Sequence, residues 1–258
     1  MNEWVERSIE LVNEKNYLDR LSEVYPVSLD VERPLPNHTK ERLKHLFKNK
    51  KRLELIKELL ELKKFPIKDP YVAFLRRCPR ALDRNPKTIE RITDTLFSIG
   101  FDEMIEGIEE PKEFNRKMGT LFPKYIPKIG YPVLPRFQFD VFKGTAILDG
   151  SDAELKEYAN RKLGFNLTKG LDILIKVNDK FVVGEAKFLT DFGGHQNAQF
   201  EDALKLIKNK QGDAIKVAIL DGVVWIRSKN KMHRRILEID EIALSSLLLK
   251  ELIDSLKS

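Results

Sequence analysis

Two acidic residues and one lysine lie among apolar residues in the second half of the chain. Asp172 stands between Leu171 and Ile173, and Glu185 and Lys187 belong to the segment Val183-Gly184-Glu185-Ala186-Lys187-Phe188. Charged groups are costly to bury among apolar side chains unless they are paired or bind a metal ion. These three residues are therefore the first candidates for a chemical site.

The sequence between the two apolar segments predicts how they pair. Asn178-Asp179 is a two-residue hairpin signal. If it forms the turn, counting back along both strands places Asp172 directly opposite Glu185. Opposed residues share a face, with Cβ atoms about 4.5–5.5 Å apart, and Lys187 points to that face because it lies two residues beyond Glu185.

Two opposed carboxylates destabilise a hairpin, and a divalent cation would remove that conflict. Carboxylate oxygens suit Mg²⁺, which keeps several waters that a phosphate can displace. The lysine can then orient or deprotonate a water, or stabilise charge on the phosphate. This outline is a phosphodiester hydrolysis site. The alternative is that Asp172 and Glu185 lie at solvated strand ends and Lys187 only pairs with one of them.

The hydrophobic periodicity of the second half predicts the elements that position these residues. In chain order they are a helix from the capping box at Ser151 to Gly164, strands at 171–177 and 180–188, a helix from 195 or 196 to about 209, a strand at 214–220, a tight turn at Asp221-Gly222, a strand at 223–226 and a final helix capped by Asp240.

The first half has helical periodicity throughout. It predicts apolar helical spacing from Val5 to Leu21, a linker between Pro26 and Pro36, a long amphipathic helix over 39–64, helix starts at Asp69-Pro70 and Asn85-Pro86, and a short helix over 111–122. Four prolines lie in 123–139. We therefore expect a helical region at 1–122, for DNA recognition or dimerisation, and a catalytic core at 123–258.

Composition restricts the class of protein. The 258 residues include 42% hydrophobic residues, which excludes a disordered chain, and no apolar run approaches the length of a membrane span. A single cysteine, Cys78, excludes an intrachain disulfide and a cysteine-built zinc site. The net charge of +6 favours a nucleic-acid partner only weakly. The expected location is the cytoplasm of a prokaryote, and the high Lys and Glu content would also suit a thermophile.

Asp172, twelve intervening residues and Glu185-Ala186-Lys187 resemble the PD-(D/E)XK nuclease motif. The predicted elements over about 150–226 are similar to that superfamily's α/β core, a central mixed sheet flanked by helices. Size and the separate helical region look most like a type II restriction endonuclease. The chain departs from the motif at Leu171, where proline often precedes the first acid. The resemblance implies that Asp172 and Glu185 bind Mg²⁺, with Mn²⁺ as a substitute, and that Lys187 acts on the attacking water.

Many members of the superfamily add an acid from the preceding helix. Glu154 or Glu157 would take that role by resemblance. Glu154 borders the apolar stripe of its helix, whereas Glu157 points the opposite way. Glu154 also has a structural explanation as the acid of the capping box, so both roles stay open.

Two polar segments are candidates for DNA contacts. The loop after the Lys187 strand contains a Gly193-Gly194 pair and ends in a helix start, with the candidates His195, Gln196, Asn197 and Gln199; the second segment contributes Arg227, Lys229, Lys231, Arg234 and Arg235. An ordinary loop with a polar helix start, and a solvated charge run, are the alternatives. If neither segment recognises bases, the basic side of 39–64 becomes the candidate.

These observations predict a sequence-specific, Mg²⁺-dependent double-stranded DNA endonuclease of the type II restriction class. A homodimer is expected because cutting both strands of a palindrome needs two sites related by a two-fold axis. A cognate DNA methyltransferase is the expected genetic partner, and no membrane partner is expected. The alternatives are a structure-specific nuclease, such as a junction resolvase or a repair enzyme, and a DNA-binding protein without catalysis.

Overall fold

A computed structural model describes residues 1–26, 34–110 and 121–257. The chain forms two compact units, a sheet unit of Met1–Val27 with Glu113–Ser258 and a helical unit of Ser28–Lys112. The expected boundary was at residue 122, but residues 1–27 belong to the sheet unit. The apolar faces of the first two helices pack in the core of that unit. Most of the expected linker at 26–36 and of the expected helix at 111–122 lies outside the described residues.

The sheet unit contains a six-stranded mixed sheet, which confirms the expected α/β class. The strands are β1 (Val133–Leu134), β2 (Thr145–Leu148), β3 (Ile173–Val177), β4 (Lys180–Leu189), β5 (Ile215–Gly222) and β6 (Ile242–Leu244), in the order β1-β2-β3-β4-β5-β6. The pairs β2–β3 and β3–β4 are antiparallel, and the other three are parallel. The sequence did not indicate β1 or β2, since each is too short for its periodicity to be recognised in the proline-rich region and the segment after it.

Helices cover both faces of the sheet. They are α1 (Glu3–Leu11), α2 (Tyr17–Val24), α9 (within the described residues, 121–125), α10 (Arg136–Val141), α11 (Asp152–Lys162), α12 (Gly194–Ile207), α13 (Lys231–Leu237) and α14 (Leu249–Ser255). Leu21 of α2 and Leu252 of α14 share a core with Ile175 and Val182 of the central strands. This core closes one face of the sheet.

The opposite face of the sheet is covered by α11 and α12. Leu174 and Val183 pack with α11, and Leu220 packs with Phe200 of α12. The predicted capping box at Ser151 is confirmed at the start of α11. Because side chains alternate along β3 and β4, Asp172 and Glu185 belong to this same face.

The predicted second hairpin is wrong. Asp221 and Gly222 continue β5, and Val223–Trp225 is a 3₁₀ turn in place of a strand. On the side of β5 away from β4, the neighbouring strand is β6, which comes from residues further along the chain and runs parallel to β5. Asp221 is fully buried and accepts hydrogen bonds from the Tyr25 hydroxyl at 2.9 Å and the Ser245 hydroxyl at 2.6 Å. The Asp-Gly pair was therefore a misleading turn signal. Its aspartate is stabilised inside a strand by side chains that are remote in sequence.

The final predicted helix also begins too early. Asp240 precedes β6, a 3₁₀ turn follows at Ser246–Leu248, and the helix itself is α14. The apolar residues that looked helical include Ile242, Ala243 and Leu244, which form the edge strand. A short apolar segment does not distinguish a buried strand from a helix, which explains this error.

The helical unit contains six helices among its described residues. They are α3 (Asn37–Lys48), α4 (Arg52–Glu61), α5 (Val72–Arg77), α6 (Ala81–Arg84), α7 (Pro86–Ile99) and α8 (Phe101–Glu109). The expected continuous helix over 39–64 is two helices, separated where Lys50 adopts a left-handed backbone with φ of 51°. The start of α7 at Asn85-Pro86 and its end before Gly100 are confirmed.

Candidate active site

The predicted hairpin register is confirmed. Val177 pairs with Lys180 across the turn, and the pairing continues to Ile173 opposite Gly184. Asp172 lies one residue before β3, and its amide donates to the Gly184 carbonyl at 3.0 Å. The next opposed pair is therefore Asp172 with Glu185, as the turn signal predicted.

Asp172, Glu185 and Lys187 converge on one face of the sheet. The Lys187 ammonium nitrogen lies 2.5 Å from a Glu185 carboxylate oxygen and 3.7 Å from an Asp172 carboxylate oxygen. The Ala186 amide donates to the same Asp172 oxygen at 2.7 Å. The three charged side chains are 14–22% exposed, so solvent screens them only partly. The alternative of solvated strand ends is not supported by this burial.

Burial raises the pKa of Asp172 to about 6. The Lys187 ammonium lowers that pKa, the Glu185 carboxylate raises it, and a smaller upward contribution comes from Asp152. Burial alone would lower the pKa of Lys187, but the attraction of Asp172 and Glu185 outweighs it and raises the pKa above its ordinary value. The two carboxylates therefore favour the ammonium form of Lys187.

Asp152 lies near the candidate site and was not singled out by the sequence analysis. It begins α11, its carbonyl accepts from the Leu171 amide at 3.2 Å, and its carboxylate is near enough to raise the pKa of Asp172. The sequence indicated Asp152 only through its place next to the Ser151 cap, in the first turn of α11. That turn lies close to Asp172 in the structure. This contact links the helix directly to the strand entrance.

The two acids expected by resemblance have other partners. One Glu154 carboxylate oxygen accepts from both the Ser151 amide and the Ser151 hydroxyl at 2.7 Å, and these bonds lower the pKa of Glu154. Glu157 is exposed and pairs with Arg161 at 2.9 Å. The capping box gives Glu154 a structural role, and the α11 acid that contributes to the raised pKa of Asp172 is Asp152.

The donor set fits a divalent cation. Two carboxylates face one ammonium, so the cluster carries an excess negative charge, and Asp152 adds to it. Mg²⁺ usually binds through one or two protein carboxylates and retains several waters. Within residues 1–26, 34–110 and 121–257, no group of three or more His, Cys, Asp or Glu side chains is placed to hold a metal ion. Asp172 and Glu185 supply the two carboxylates that a largely hydrated Mg²⁺ ion needs.

The first turn of α12 contains the predicted loop residues. His195 and Gln199 are near each other on its surface, with 3.1 Å between their side-chain nitrogens, and Asn197 is exposed. Gln196 is only 7% exposed and donates to the Thr190 hydroxyl at 3.2 Å. Its amide oxygen is buried and has no hydrogen-bond partner among the described residues. Gln196 is therefore buried, whereas His195 and Asn197 are exposed and Gln199 is partly exposed.

The predicted basic cluster lies around α13 and is mostly exposed. Arg235 pairs with Glu201 at 2.9 Å, whereas Arg227, Lys229, Lys231 and Arg234 have no ion pair among the described residues. Lys231, Arg234 and Arg235 line a surface depression of about 480 Å³ together with Lys208. This depression presents several cationic groups and a single acid, Glu238, to solvent.

A mixed sheet flanked by helices, with two carboxylates and a lysine facing one another across its central hairpin, defines a restriction-endonuclease-like fold. The chain belongs to the Tsp45I type II restriction enzyme family, which it matches over residues 2–256. No curated protein and no solved structure matches it significantly. The family identifies the chain as a restriction endonuclease with DNA as its substrate. None of the helices in the described ranges is long and apolar enough to cross a membrane.

Proposed function

We propose that this restriction endonuclease cuts both strands of duplex DNA at a specific sequence and requires Mg²⁺. The observation that supports it is the convergence of Asp172, Glu185 and Lys187 on one half-buried face of the β3–β4 hairpin. Asp172 and Glu185 would hold the Mg²⁺ ion. A bound Mg²⁺ ion neutralises developing charge on the phosphate and lowers the pKa of a coordinated water.

Lys187 contributes as a hydrogen-bond donor in this proposal. Asp172 and Glu185 raise its pKa above the ordinary value against the opposing effect of burial, which favours the ammonium form. The ammonium group would orient the attacking water and stabilise negative charge on the scissile phosphate. Its position between Glu185 and Asp172 would hold it beside the reacting phosphate.

DNA contacts in this proposal come from both predicted segments of the sheet unit. His195 and Asn197 offer exposed donors and acceptors just after the Lys187 strand, Gln199 offers partly exposed ones, and Gln196 supports the loop from inside. Arg227, Lys229, Lys231, Arg234 and Arg235 would contact phosphates. The active form would be a homodimer, since two-fold related sites cut the two strands of a palindrome. A methyltransferase that protects the same sequence would be its genetic partner.

Plasmid cleavage tests the proposal. The wild-type protein with Mg²⁺ or Mn²⁺ should give discrete fragments, and Asp172→Asn, Glu185→Gln and Lys187→Met should each abolish them. The matched control is Asp213→Asn, because Asp213 is an exposed acid of the same unit. Nicking confined to branched DNA would favour a structure-specific nuclease, and binding without any cleavage would favour a non-catalytic protein. Near wild-type cleavage by Asp172→Asn would remove the proposed metal ligand.

A further inference from the structure

Two aromatic side chains of the helical unit are exposed side by side. Tyr71 is 55% exposed and Phe74 is 62% exposed, whereas their neighbours Val72 and Leu75 are buried in the core of the unit. Residues three apart on a helix are neighbours on its surface. Tyr71 and Phe74 therefore form one apolar ridge at α5, and they are the large hydrophobic side chains that the described part of this unit exposes.

The ridge is fixed in place by surrounding contacts. The Arg91 guanidinium lies 5.6 Å from the centre of the Tyr71 ring and pairs with Asp69 at 2.6 Å. Arg76 donates to the Leu60 and Leu62 carbonyls at 3.0 and 2.6 Å. Exposed apolar side chains that lie together mark interaction surfaces more often than apolar side chains scattered singly over a surface.

Exposed cationic residues follow the ridge along the chain. Arg77, Arg80, Arg84 and Lys87 are exposed, and none of them has an ion pair with any residue in the described ranges. In the predicted alternative at 39–64, Lys40, Arg42, Arg52 and Lys64 form ion pairs with acids of the unit, while others, such as Lys44 and Lys48, are exposed without an ion pair among the described residues. The α5 region is distinguished by its exposed rings, because Tyr71 and Phe74 lie there beside the exposed Arg77.

An adjacent depression of about 690 Å³ does not suit an anion. Arg76 and Arg80 reach its wall, but the carboxylates of Glu58, Glu61 and Asp83 also line it. Phe74 and Arg77 are exposed and do not line this depression, and Arg80 is exposed at its wall. We define Tyr71, Phe74, Arg77 and Arg80 as the α5–α6 surface.

We propose that the α5–α6 surface is a DNA-contact surface of the helical unit. Arg77 and Arg80 would bind phosphates, and Phe74 would pack against sugars and base edges in the groove, as apolar side chains do in architectural DNA-binding proteins. Exposed arginines that have no ion pair among the described residues, beside an exposed ring, match a polyanion with apolar faces better than they match an uncharged protein surface. This inference rests on the proposed function, since it assigns part of the DNA binding of the same enzyme.

Binding to a mixed-sequence duplex in EDTA, measured by fluorescence anisotropy over a range of salt concentrations, tests the surface without cleavage. Arg77→Ala with Arg80→Ala should reduce the salt slope of log K by about 2, because each phosphate contact contributes about 0.9. Phe74→Ala should weaken binding by about tenfold, and Phe74→Trp should restore it. Thermal unfolding should stay unchanged, because all three side chains are exposed.

Lys44→Ala with Lys48→Ala provides the comparison, since it removes two exposed charges from α3 of the same unit. This pair should leave the slope at the wild-type value. If it lowers the slope and the Arg77/Arg80 pair does not, α3 contacts the DNA and the inference fails. If Phe74→Ala changes the sedimentation coefficient and not DNA binding, the ridge is a subunit interface. Wild-type plasmid cleavage with Mg²⁺, measured in parallel, separates failure of this surface from failure of the proposed function.

Discussion

Replacing Asp172 by asparagine should stabilise the metal-free protein at neutral pH while it abolishes cleavage. Burial raises the pKa of Asp172 from 3.8 to about 6, and the nearby Lys187 does not fully offset it. Asparagine keeps an oxygen that can accept the Ala186 amide hydrogen bond, now 2.7 Å long, but carries no charge. The substitution therefore removes an unfavourable buried charge and leaves most of the local hydrogen bonding intact.

The size and pH dependence of this effect follow from the shift in pKa. A difference of one pKa unit corresponds to about 1.4 kcal/mol, so the ionised carboxylate destabilises the folded state by up to about 3 kcal/mol. The folded protein binds more protons than the unfolded chain between about pH 4 and pH 6. The stability contributed by this group is thus greatest below pH 4, falls as the pH rises to 6 and is lowest above it.

The assay is thermal unfolding in EDTA at pH 7.5 and at pH 4. At about 2–4 °C per kcal/mol, Asp172→Asn should raise the melting temperature by about 6–12 °C at pH 7.5 and by little at pH 4. The exposed Asp213→Asn control should change neither value. Adding Mg²⁺ should raise the melting temperature of the wild type and not of Asp172→Asn. If the variant melts at or below the wild-type temperature at pH 7.5, the argument that the buried, ionised Asp172 carboxylate destabilises the folded state is refuted.

Three further predictions concern neighbouring positions. Lys187→Met should lose cleavage but keep the Mg²⁺-induced rise in melting temperature, because the carboxylates remain. Asp152→Asn should lower the pKa of Asp172, measured by carboxyl-carbon NMR, since it removes a nearby negative charge; an unchanged pKa would place Asp152 too far away. Gly222→Ala should destabilise the fold by more than about 2 kcal/mol in denaturant unfolding, because φ is +94° and the new Cβ would lie 2.1 Å from the Leu189 carbonyl oxygen.

The central hairpin could be predicted from sequence because its determinants are local. A two-residue turn at Asn178-Asp179 fixes the pairing of the strands on either side, and the turn is seen with Asn178 at a φ of 54°. That register places Asp172 opposite Glu185 without any knowledge of the rest of the fold. The capping box of α11 was equally predictable, since Ser151 and Glu154 satisfy each other within four residues.

The sheet edges could not be predicted because they depend on distant pairings. β1 pairs with β2, and β6 pairs with β5 only after the intervening α13. Asp221 looked like a turn residue, yet its partners Tyr25 and Ser245 are supplied by the N-terminal and C-terminal segments. No local pattern indicates that a carboxylate in an Asp-Gly pair is satisfied by side chains so far away in sequence.

Asp152 shows where local reasoning about the site reaches its limit. Asp152 lies twenty residues before Asp172, and no turn between them fixes how the two residues are placed in space. They come close because α11 packs on Leu174 and Val183, which brings the first turn of α11 to the start of β3. The same packing holds Asp172 away from solvent, which is why burial is the largest influence on its pKa. The helix therefore acts on the first acid in two ways, by excluding water and by adding a second negative charge. Both effects disfavour ionised Asp172 in the absence of a cation and so strengthen the dependence of the charged site on a bound metal ion.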